Sequence, residues 1–194
     1  MTAQVDLFGE AGALPSGLSY RDEMLSDADE TSLIAQLADV AVAPFRFQGW
    51  TGKRETASFG WHYDFDNSRF AETAPIPNFL LPLRERAADF AGLAAEDLVQ
   101  ALVIRYGVGA GIGWHRDRPV FEHVVGVSLA APATLRLRRR NGRSFERAAV
   151  PLRRRSAYHL SGAARHEWEH SIVPTDALRW SITFRSLSSR GGPL

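Results

Sequence analysis

Short β-rich segments separated by turn residues run through the chain, and this pattern limits the possible folds more than any other feature. We count about eight such segments, which is typical of a jelly roll. One pair, residues 133–140 and 143–152, flanks Asn141-Gly142 and predicts a hairpin with a type I′ turn. The apolar run at residues 98–106 predicts a central strand. We therefore expect an α+β protein with a jelly-roll core.

Two helices are predicted in the first half of the chain. Residues 28–42 carry apolar side chains at helical spacing after a cap-rich start, and residues 79–93 repeat this pattern. We expect these N-terminal helices to pack against the outside of the sheet. Residues 1–19 contain glycines and prolines but little periodicity, which predicts a flexible tail. The remainder, residues 20–194, is expected to form a single domain.

The triplet His115-Arg116-Asp117 is the first candidate for chemistry. On an extended segment, two residues that are two positions apart project from the same face. His170 begins another apolar run that predicts a strand, so it can supply a third group from a distant part of the chain. Two histidines and one carboxylate, with open positions beside them, suit Fe(II). The sequence therefore predicts a metal site formed by His115, Asp117 and His170.

Two arginines follow on the last predicted strand. Polar and apolar residues alternate over residues 179–185, which places Arg179 and Arg185 on one face. Their Cα atoms would lie about 20 Å apart, and the long side chains can narrow this gap to the length of a small dicarboxylate. Guanidinium groups bind carboxylates through paired hydrogen bonds. The alternative is that both arginines are solvated on an edge strand.

In combination these motifs resemble the AlkB family of Fe(II)/2-oxoglutarate oxygenases. The shared features are H-x-D, a histidine 53 residues after the aspartate, and R-x-S-x-T-F-R at residues 179–185. The resemblance covers residues 44–187 and implies a double-stranded β-helix with Fe(II), 2-oxoglutarate and O2 as cofactors. By this resemblance the iron ligands are His115, Asp117 and His170, and the residues that bind 2-oxoglutarate are Tyr106, Arg179 and Arg185.

Two positions depart from the family pattern. Ile104 stands where the family has an amide, which removes one polar contact to 2-oxoglutarate. Pro119 stands where the repair members have an acid that helps to set base preference. The choice of base, and of DNA or tRNA, is therefore left open by the sequence.

Residues 45–70 mix aromatic, basic and glycine residues, with a turn expected at residues 51–54, and resemble the nucleotide-recognition lid of the same family. Such side chains on a flexible flap can stack a flipped base and hold its phosphates. The alternative is an ordinary aromatic cluster under a loop, which we expect for at least one of them. The residues predicted to bind the substrate are Trp50, Trp61, Tyr63, Lys53 and Arg54.

Basic residues are concentrated in the second half of the chain. Residues 1–100 contain 7 Lys/Arg and 16 Asp/Glu, whereas residues 101–194 contain 16 and 6. A cluster of this kind predicts binding to a polyanion such as nucleic acid. The alternative is that the arginines pair with the acidic N-terminal half. Ten of them lie close together in the sequence: Arg136, Arg138, Arg139, Arg140, Arg143, Arg147, Arg153, Arg154, Arg155 and Arg165.

The segment Gln4-Val5-Asp6-Leu7-Phe8 resembles the peptide with which bacterial replication and repair proteins bind the sliding clamp. Leu7 and Phe8 would fill an apolar pocket on the clamp, and Gln4 would hold the start of the peptide. The alternative is that Leu7 and Phe8 fold back onto the domain's own surface.

Composition excludes several classes of site. The chain has no cysteine, so it has no disulfide, thiolate metal site or cysteine nucleophile. No apolar run is long enough to span a bilayer, and the residues at the start of the sequence lead us to expect no signal peptide. We therefore expect a cytoplasmic monomer without membrane contact.

These features predict oxidative demethylation of N-alkylated bases in DNA or RNA, as alkylation repair or tRNA demodification. The products would be formaldehyde, succinate and CO2. One alternative is a 2-oxoglutarate oxygenase that acts on a protein or a small molecule. Another is a jelly-roll binding module without turnover.

Overall fold

The computed structural model describes residues 14–47, 50–64 and 69–189, and within them the chain forms thirteen β-strands and three α-helices. The helices are α1 (Asp27–Ala38), α2 (Leu81–Ala91) and α3 (Gly162–His166), with 3-10 turns at Asn78–Leu80 and Ala95–Asp97. The strands are β1 (Leu18–Arg21), β2 (Ala43–Phe47), β3 (Trp50–Phe59), β4 (Trp61–Asp64), β5 (Arg69–Glu72), β6 (Leu98–Tyr106), β7 (Ile112–His115), β8 (Phe121–Leu129), β9 (Ala133–Asn141), β10 (Ser144–Leu152), β11 (Ala157–Leu160), β12 (Glu169–Ile172) and β13 (Arg179–Leu187).

The strands form two large antiparallel sheets and one small ribbon. The seven-stranded sheet has the order β1-β11-β8-β13-β6-β3-β2, and the four-stranded sheet has the order β10-β9-β12-β7. Strands β4 and β5 pair separately. Ile104 from the larger sheet and Leu135 from the smaller one belong to the same buried cluster, so the two sheets face each other. Two facing sheets of short antiparallel strands form the expected jelly-roll core.

Strand β13 shows how the sequence separates the two faces of the seven-stranded sheet. Its apolar residues pack in the cluster that α1 and α2 cover, because a helix buries an apolar stripe against the sheet. Its polar residues point the other way, into the space between the sheets. They line a pocket there, and they are Arg179, Ser181, Thr183 and Arg185.

Helices α1 and α2 lie on the outer face of the larger sheet, with Leu37 and Leu83 buried against it. A capping box between Ser26 and Asp29 fixes the start of α1. The helix ends at Ala38, four residues before the predicted end. No helix in the described part of the chain is long and apolar enough to cross a membrane.

Three local predictions need correction. Strand β1 pairs with β11, so the tail boundary drawn at residue 19 falls inside a strand. The β9–β10 hairpin forms as predicted, but Asn141 pairs with Ser144 and only Gly142 has a positive φ (58°), so the type I′ turn at Asn141-Gly142 is wrong. Residues 51–54, expected to form a turn, lie inside β3.

Candidate active site

His115 and His170 lie side by side at the edge of the four-stranded sheet. His115 is the last residue of β7, and the pairing of β12 with β7 places His170 directly opposite it. Their ring centroids are 4.3 Å apart. His115 Nδ1 lies 2.9 Å from the carbonyl oxygen of Gly113, which orients the ring and leaves Nε2 for another partner. The two imidazoles predicted from distant segments are thus adjacent.

Asp117 completes the group two residues after the end of β7. Its Oδ1 accepts hydrogen bonds from Arg185 Nε at 3.0 Å and Nη2 at 2.8 Å. Its Oδ2 lies 3.5 Å from His170 Nε2, is buried, and has no hydrogen-bond partner. Burial alone would raise the pKa of Asp117, but the positive charge of Arg185 holds it below the ordinary value. Asp117 is therefore ionised, with one oxygen unpaired.

The protonation of His170 follows from its surroundings. Burial lowers its pKa to about 3, and the neighbouring His115 acts in the same direction. The ring is therefore neutral near pH 7 and can offer a nitrogen lone pair.

The donor set fits Fe(II), although the groups are adjacent rather than already arranged around a point. Among residues 14–47, 50–64 and 69–189, no three His, Asp or Glu side chains stand at the spacing of a formed ion site. The fit lies in the chemistry: a buried carboxylate oxygen without a partner, beside two imidazoles in one pocket. Two nitrogens and one oxygen on one side of an ion leave open positions on the other.

Arg179 and Tyr106 form the other polar part of the pocket. They are paired opposite each other on β13 and β6, and the guanidinium lies 4.8 Å from the centre of the tyrosine ring. Arg179 is 1% exposed, and its Nε donates to Ser128 Oγ at 3.1 Å. Its Nη1 is buried without a partner. Because β13 is central and both its arginines are buried, the edge-strand alternative is wrong.

Two residues that sequence reasoning missed support these groups. Gln100 accepts a hydrogen bond from Arg185 Nη1 at 2.9 Å and donates to the carbonyl oxygen of Trp61 at 2.7 Å. A polar residue within the apolar segment 98–106 was the available signal. Arg165 is 3% exposed and donates to the carbonyl oxygens of Arg118 and Phe121 at 2.5 and 2.7 Å, so it holds the loop after Asp117.

The five predicted substrate-binding residues lie on β3 and β4. For Trp50 and Tyr63 the backbone is described but the side chain is not. Trp61 is half-buried, Lys53 is exposed, and none of Lys53, Arg54 and Trp61 lines the pocket. The Arg54 guanidinium lies 3.8 Å from the centre of the Phe45 ring. Burial lowers the pKa of Arg54 below its ordinary value, and the nearby Tyr106 offsets only part of this effect.

The predicted lid is divided between two sheets. Strands β2 and β3 belong to the seven-stranded sheet, where β3 pairs with β6, whereas β4 and β5 form the separate ribbon. Residues 48–49 and 65–68 of this segment lie outside the described residues, as does the whole of Gln4-Val5-Asp6-Leu7-Phe8.

Comparisons with known proteins place the chain in a family. A family model, the 2OG-Fe(II) oxygenase superfamily, matches residues 43–185. Alpha-ketoglutarate-dependent dioxygenase alkB homolog 4 from Homo sapiens is 49% identical over 47 residues, which are 23% of this chain and 16% of that protein. A Mus musculus protein, tRNA (carboxymethyluridine(34)-5-O)-methyltransferase ALKBH8, is 25% identical over 170 residues, 84% of this chain and 25% of that protein. The chain thus spans a quarter or less of the length of these curated relatives.

A solved structure, that of OsALKBH1, is similar to this one with a TM-score of 0.68 at 16% sequence identity. The match covers 88% of this chain and 96% of that chain, and confirms the predicted fold. The superfamily uses Fe(II), 2-oxoglutarate and O2, as the sequence predicted. Since the family model spans most of the chain, the chain belongs to the 2OG-Fe(II) oxygenase superfamily, and the relatives and the solved structure that it resembles are of the AlkB type.

Proposed function

We propose that this protein removes N-linked methyl groups from bases in DNA or RNA, with Fe(II), 2-oxoglutarate and O2. The observation that carries the proposal is that His115, Asp117 and His170 meet in one pocket whose polar wall also contains Arg179. The first three residues would hold the iron. Arg179, with its unpaired Nη1, and Tyr106 would bind the distal carboxylate of 2-oxoglutarate.

The bound iron, 2-oxoglutarate and O2 supply oxidation of a C–H bond, coupled to conversion of 2-oxoglutarate into succinate and CO2. The protein's own residues position the reactants. Arg185 keeps Asp117 ionised and fixed, and Gln100 fixes Arg185 in turn. An N-methyl group that is hydroxylated on its carbon leaves as formaldehyde, so the products are the demethylated base, formaldehyde, succinate and CO2.

Nucleic acid as the substrate is supported by the AlkB-type relatives, one of which is named for modification of a tRNA. Aromatic and basic residues on β3 and β4 are the proposed base-binding side chains, with Trp50 as the first choice and Trp61, Tyr63, Lys53 and Arg54 around it. An aromatic ring that stacks a base contributes about 1–3 kcal/mol to binding. Trp50→Ala should therefore weaken substrate binding by that amount.

The test is incubation of the protein with Fe(II), 2-oxoglutarate and N-methylated DNA and tRNA oligonucleotides. Mass spectrometry should detect demethylated bases, and succinate and formaldehyde should form in equal amounts. Asp117→Ala should abolish all three products, whereas Asp89→Ala, which removes an exposed carboxylate on α2, should change none of them. Succinate release with every methylated base intact would favour a protein or small-molecule substrate. Turnover by Asp117→Ala would overturn the ligand assignment.

The N-terminal segment carries a second proposal from its sequence alone. We propose that Gln4-Val5-Asp6-Leu7-Phe8 tethers a monomeric, cytoplasmic enzyme to a sliding clamp. Deletion of residues 1–10 should then abolish capture by immobilised clamp and leave turnover unchanged. Capture of the truncated protein would contradict the clamp proposal and leave the proposed enzymatic function unchanged.

A further inference from the structure

The arginine cluster separates into groups with different partners. Arg153, Arg154 and Arg155 pair with acids of the N-terminal half, at distances from 2.6 to 3.9 Å. Arg165 is buried against backbone carbonyls. The alternative in which the cluster pairs with the acidic half of the chain therefore holds for three of the ten arginines.

The arginines of the β9–β10 hairpin are different. Arg138 pairs with Glu169 at 2.6 Å, and Arg139 pairs with Glu146 and Glu167 at 2.8 Å. For the other four, no carboxylate of a described residue lies within 4 Å. All four are exposed, and they are Arg136, Arg140, Arg143 and Arg147.

Strand register places most of this charge on one face. Residues 136, 138 and 140 alternate along β9 with Leu135 and Leu137, which are fully buried on the opposite face. Arg147 lies directly opposite Arg138, and Phe145 lies opposite Arg140, so these residues share the outer face. Glu169 pairs with Arg138, but no carboxylate of a described residue pairs with Arg147, so its charge stays uncompensated beside Arg138. A bound anion would supply the missing partner.

Aromatic rings order these guanidinium groups. Arg136 and Arg138 lie 5.1 and 4.5 Å from the centre of the Trp114 ring. Phe145 is within 5.7 Å of the guanidinium groups of Arg138, Arg140 and Arg147. A stacked guanidinium loses mobility but keeps its N–H donors free at the edge, which lowers the entropic cost of binding a phosphate. We call this surface the arginine face: Trp114, Arg136, Arg138, Arg140, Phe145 and Arg147.

The arginine face is continuous with the candidate active site through β7. This strand lies at the edge of the four-stranded sheet and supplies His115 to the pocket. The preceding residue, Trp114, contacts the arginines on the other face. A nucleotide strand that leaves the pocket past β7 would therefore meet the arginine face.

We infer that the arginine face binds the phosphodiester backbone of the nucleic acid on which the enzyme acts. This inference rests on the proposed function and adds to it the surface that holds the substrate outside the pocket. Phosphate contacts of this kind supply affinity and position the strand without reading its sequence. The face therefore supports a substrate longer than the nucleotide that enters the pocket.

The test compares two double variants that remove the same charge. Arg140→Ser with Arg147→Ser removes two unpaired arginines of the face. The control, Arg86→Ser with Arg153→Ser, removes two arginines that are paired with surface acids elsewhere. Binding of a fluorescent, N-methylated 15-nucleotide strand is measured by anisotropy between 50 and 200 mM salt. Turnover is measured separately on the same strand and on an N-methylated nucleoside.

The face variant should bind the strand about tenfold or more weakly than wild type. Since each lost phosphate contact lowers the slope of log Kd against log salt by about 0.7–0.9, its slope should fall by about 1.5. Its nucleoside turnover should match wild type, and the control should resemble wild type in every measurement. Equal effects of the two variants on strand binding, or no effect of the face variant, would overturn the inference. Turnover measured with wild type is a separate test of the proposed function. If wild type turned over neither the methylated strand nor the nucleoside, this would instead contradict the proposed function itself.

Discussion

Two arginines on the same face of β13 have different roles because their neighbours differ. Arg185 is fully engaged: it donates to Asp117 and to Gln100, both of which are fixed by the fold. Arg179 donates from Nε to Ser128 and keeps Nη1 unpaired in a buried position. An unpaired buried donor costs about 1–3 kcal/mol, so this position is suited to a ligand that supplies an acceptor.

Arg179→Lys tests this role directly. Lysine keeps the charge but cannot donate to Ser128 and to a carboxylate through a planar fork. We expect KM for 2-oxoglutarate to rise about 10–100-fold, which corresponds to loss of one charge-assisted hydrogen bond, with a smaller change in kcat. Arg105→Lys, on the neighbouring strand and half exposed beside Glu55, is the matched control. An unchanged KM in Arg179→Lys would place the co-substrate carboxylate elsewhere.

At the level of single residues, the sequence predicted the groups that follow a spacing rule. Arg179 and Arg185 could be found because strand periodicity places them on one face of β13, and Asp117 because it lies two residues after His115, although it is just beyond the end of β7. Gln100 and Arg165 could not be assigned, since their partners are Arg185 and two backbone carbonyls far away in the sequence. The polar side chain of Gln100 within an apolar segment was a local signal, but the sequence does not indicate the partner in such a long-range hydrogen bond.

Among the elements, β13 could be predicted from the sequence and β1 could not. The two-faced character of β13 follows from the alternation of polar and apolar residues from Arg179 to Arg185. Strand β1 has only four residues, of which Leu18 alone is buried, and it exists because its backbone pairs with β11 about 140 residues away. Its sequence resembles a tail because the stabilising partner is not local.

Helix α1 is fastened to the sheet by one buried acid. Glu30 is 1% exposed and accepts a hydrogen bond from the backbone N–H of Ala130 at 2.8 Å. Its other oxygen accepts from Arg154 at 2.6 Å. The helix periodicity predicted an apolar face but gave no sign that a carboxylate lies within it.

Glu30→Ala should lower the free energy of unfolding by about 2–3 kcal/mol, because it leaves a buried N–H unpaired. The ion-pair share is small, since Arg154 is half exposed and water screens its charge. Glu30→Gln keeps an acceptor for Ala130 and should lose about half as much. Urea denaturation of the three proteins measures both values. Equal losses in Glu30→Ala and Glu30→Gln would show that the charge, and not the acceptor, holds the helix.

The molecule has two apolar clusters, and only one of them surrounds the candidate active site. One apolar cluster fills the space between the larger sheet and the helices, and a second fills the space between the sheets around the pocket.

The acidic first half and the basic second half of the chain are only partly paired in the folded protein. Acids of the N-terminal half neutralise Arg153, Arg154 and Arg155, and the charge of the hairpin stays on the surface.

The pH dependence of stability follows from a buried histidine pair. His159 is 7% exposed and lies 2.9 Å from His123, and burial lowers the pKa of His159 from 6.5 to about 4. The unfolded chain therefore binds a proton between pH 6.5 and 4 that the folded chain does not. The free energy of unfolding should fall as pH falls through this window, at up to about 1.4 kcal/mol per pH unit.

His159→Gln removes this titrating group. His170, whose pKa is also lowered, contributes to the pH dependence of stability in both proteins. Between pH 7 and pH 5 the wild type should lose about 1–2 kcal/mol more stability than the variant. Urea denaturation at several pH values gives the comparison. Parallel stability curves for the two proteins would mean that His159 is accessible to protons in the folded state.

The central claim is that His115, Asp117 and His170 hold one metal ion while Arg179 holds the far carboxylate of 2-oxoglutarate. The most direct measurement is a crystal structure of the wild-type protein grown with Mn(II) and 2-oxoglutarate, with anomalous data to locate the metal. We predict one anomalous peak in contact with all three side chains and a carboxylate of 2-oxoglutarate against Arg179. A peak bound by other residues, or 2-oxoglutarate bound away from Arg179, would contradict the account.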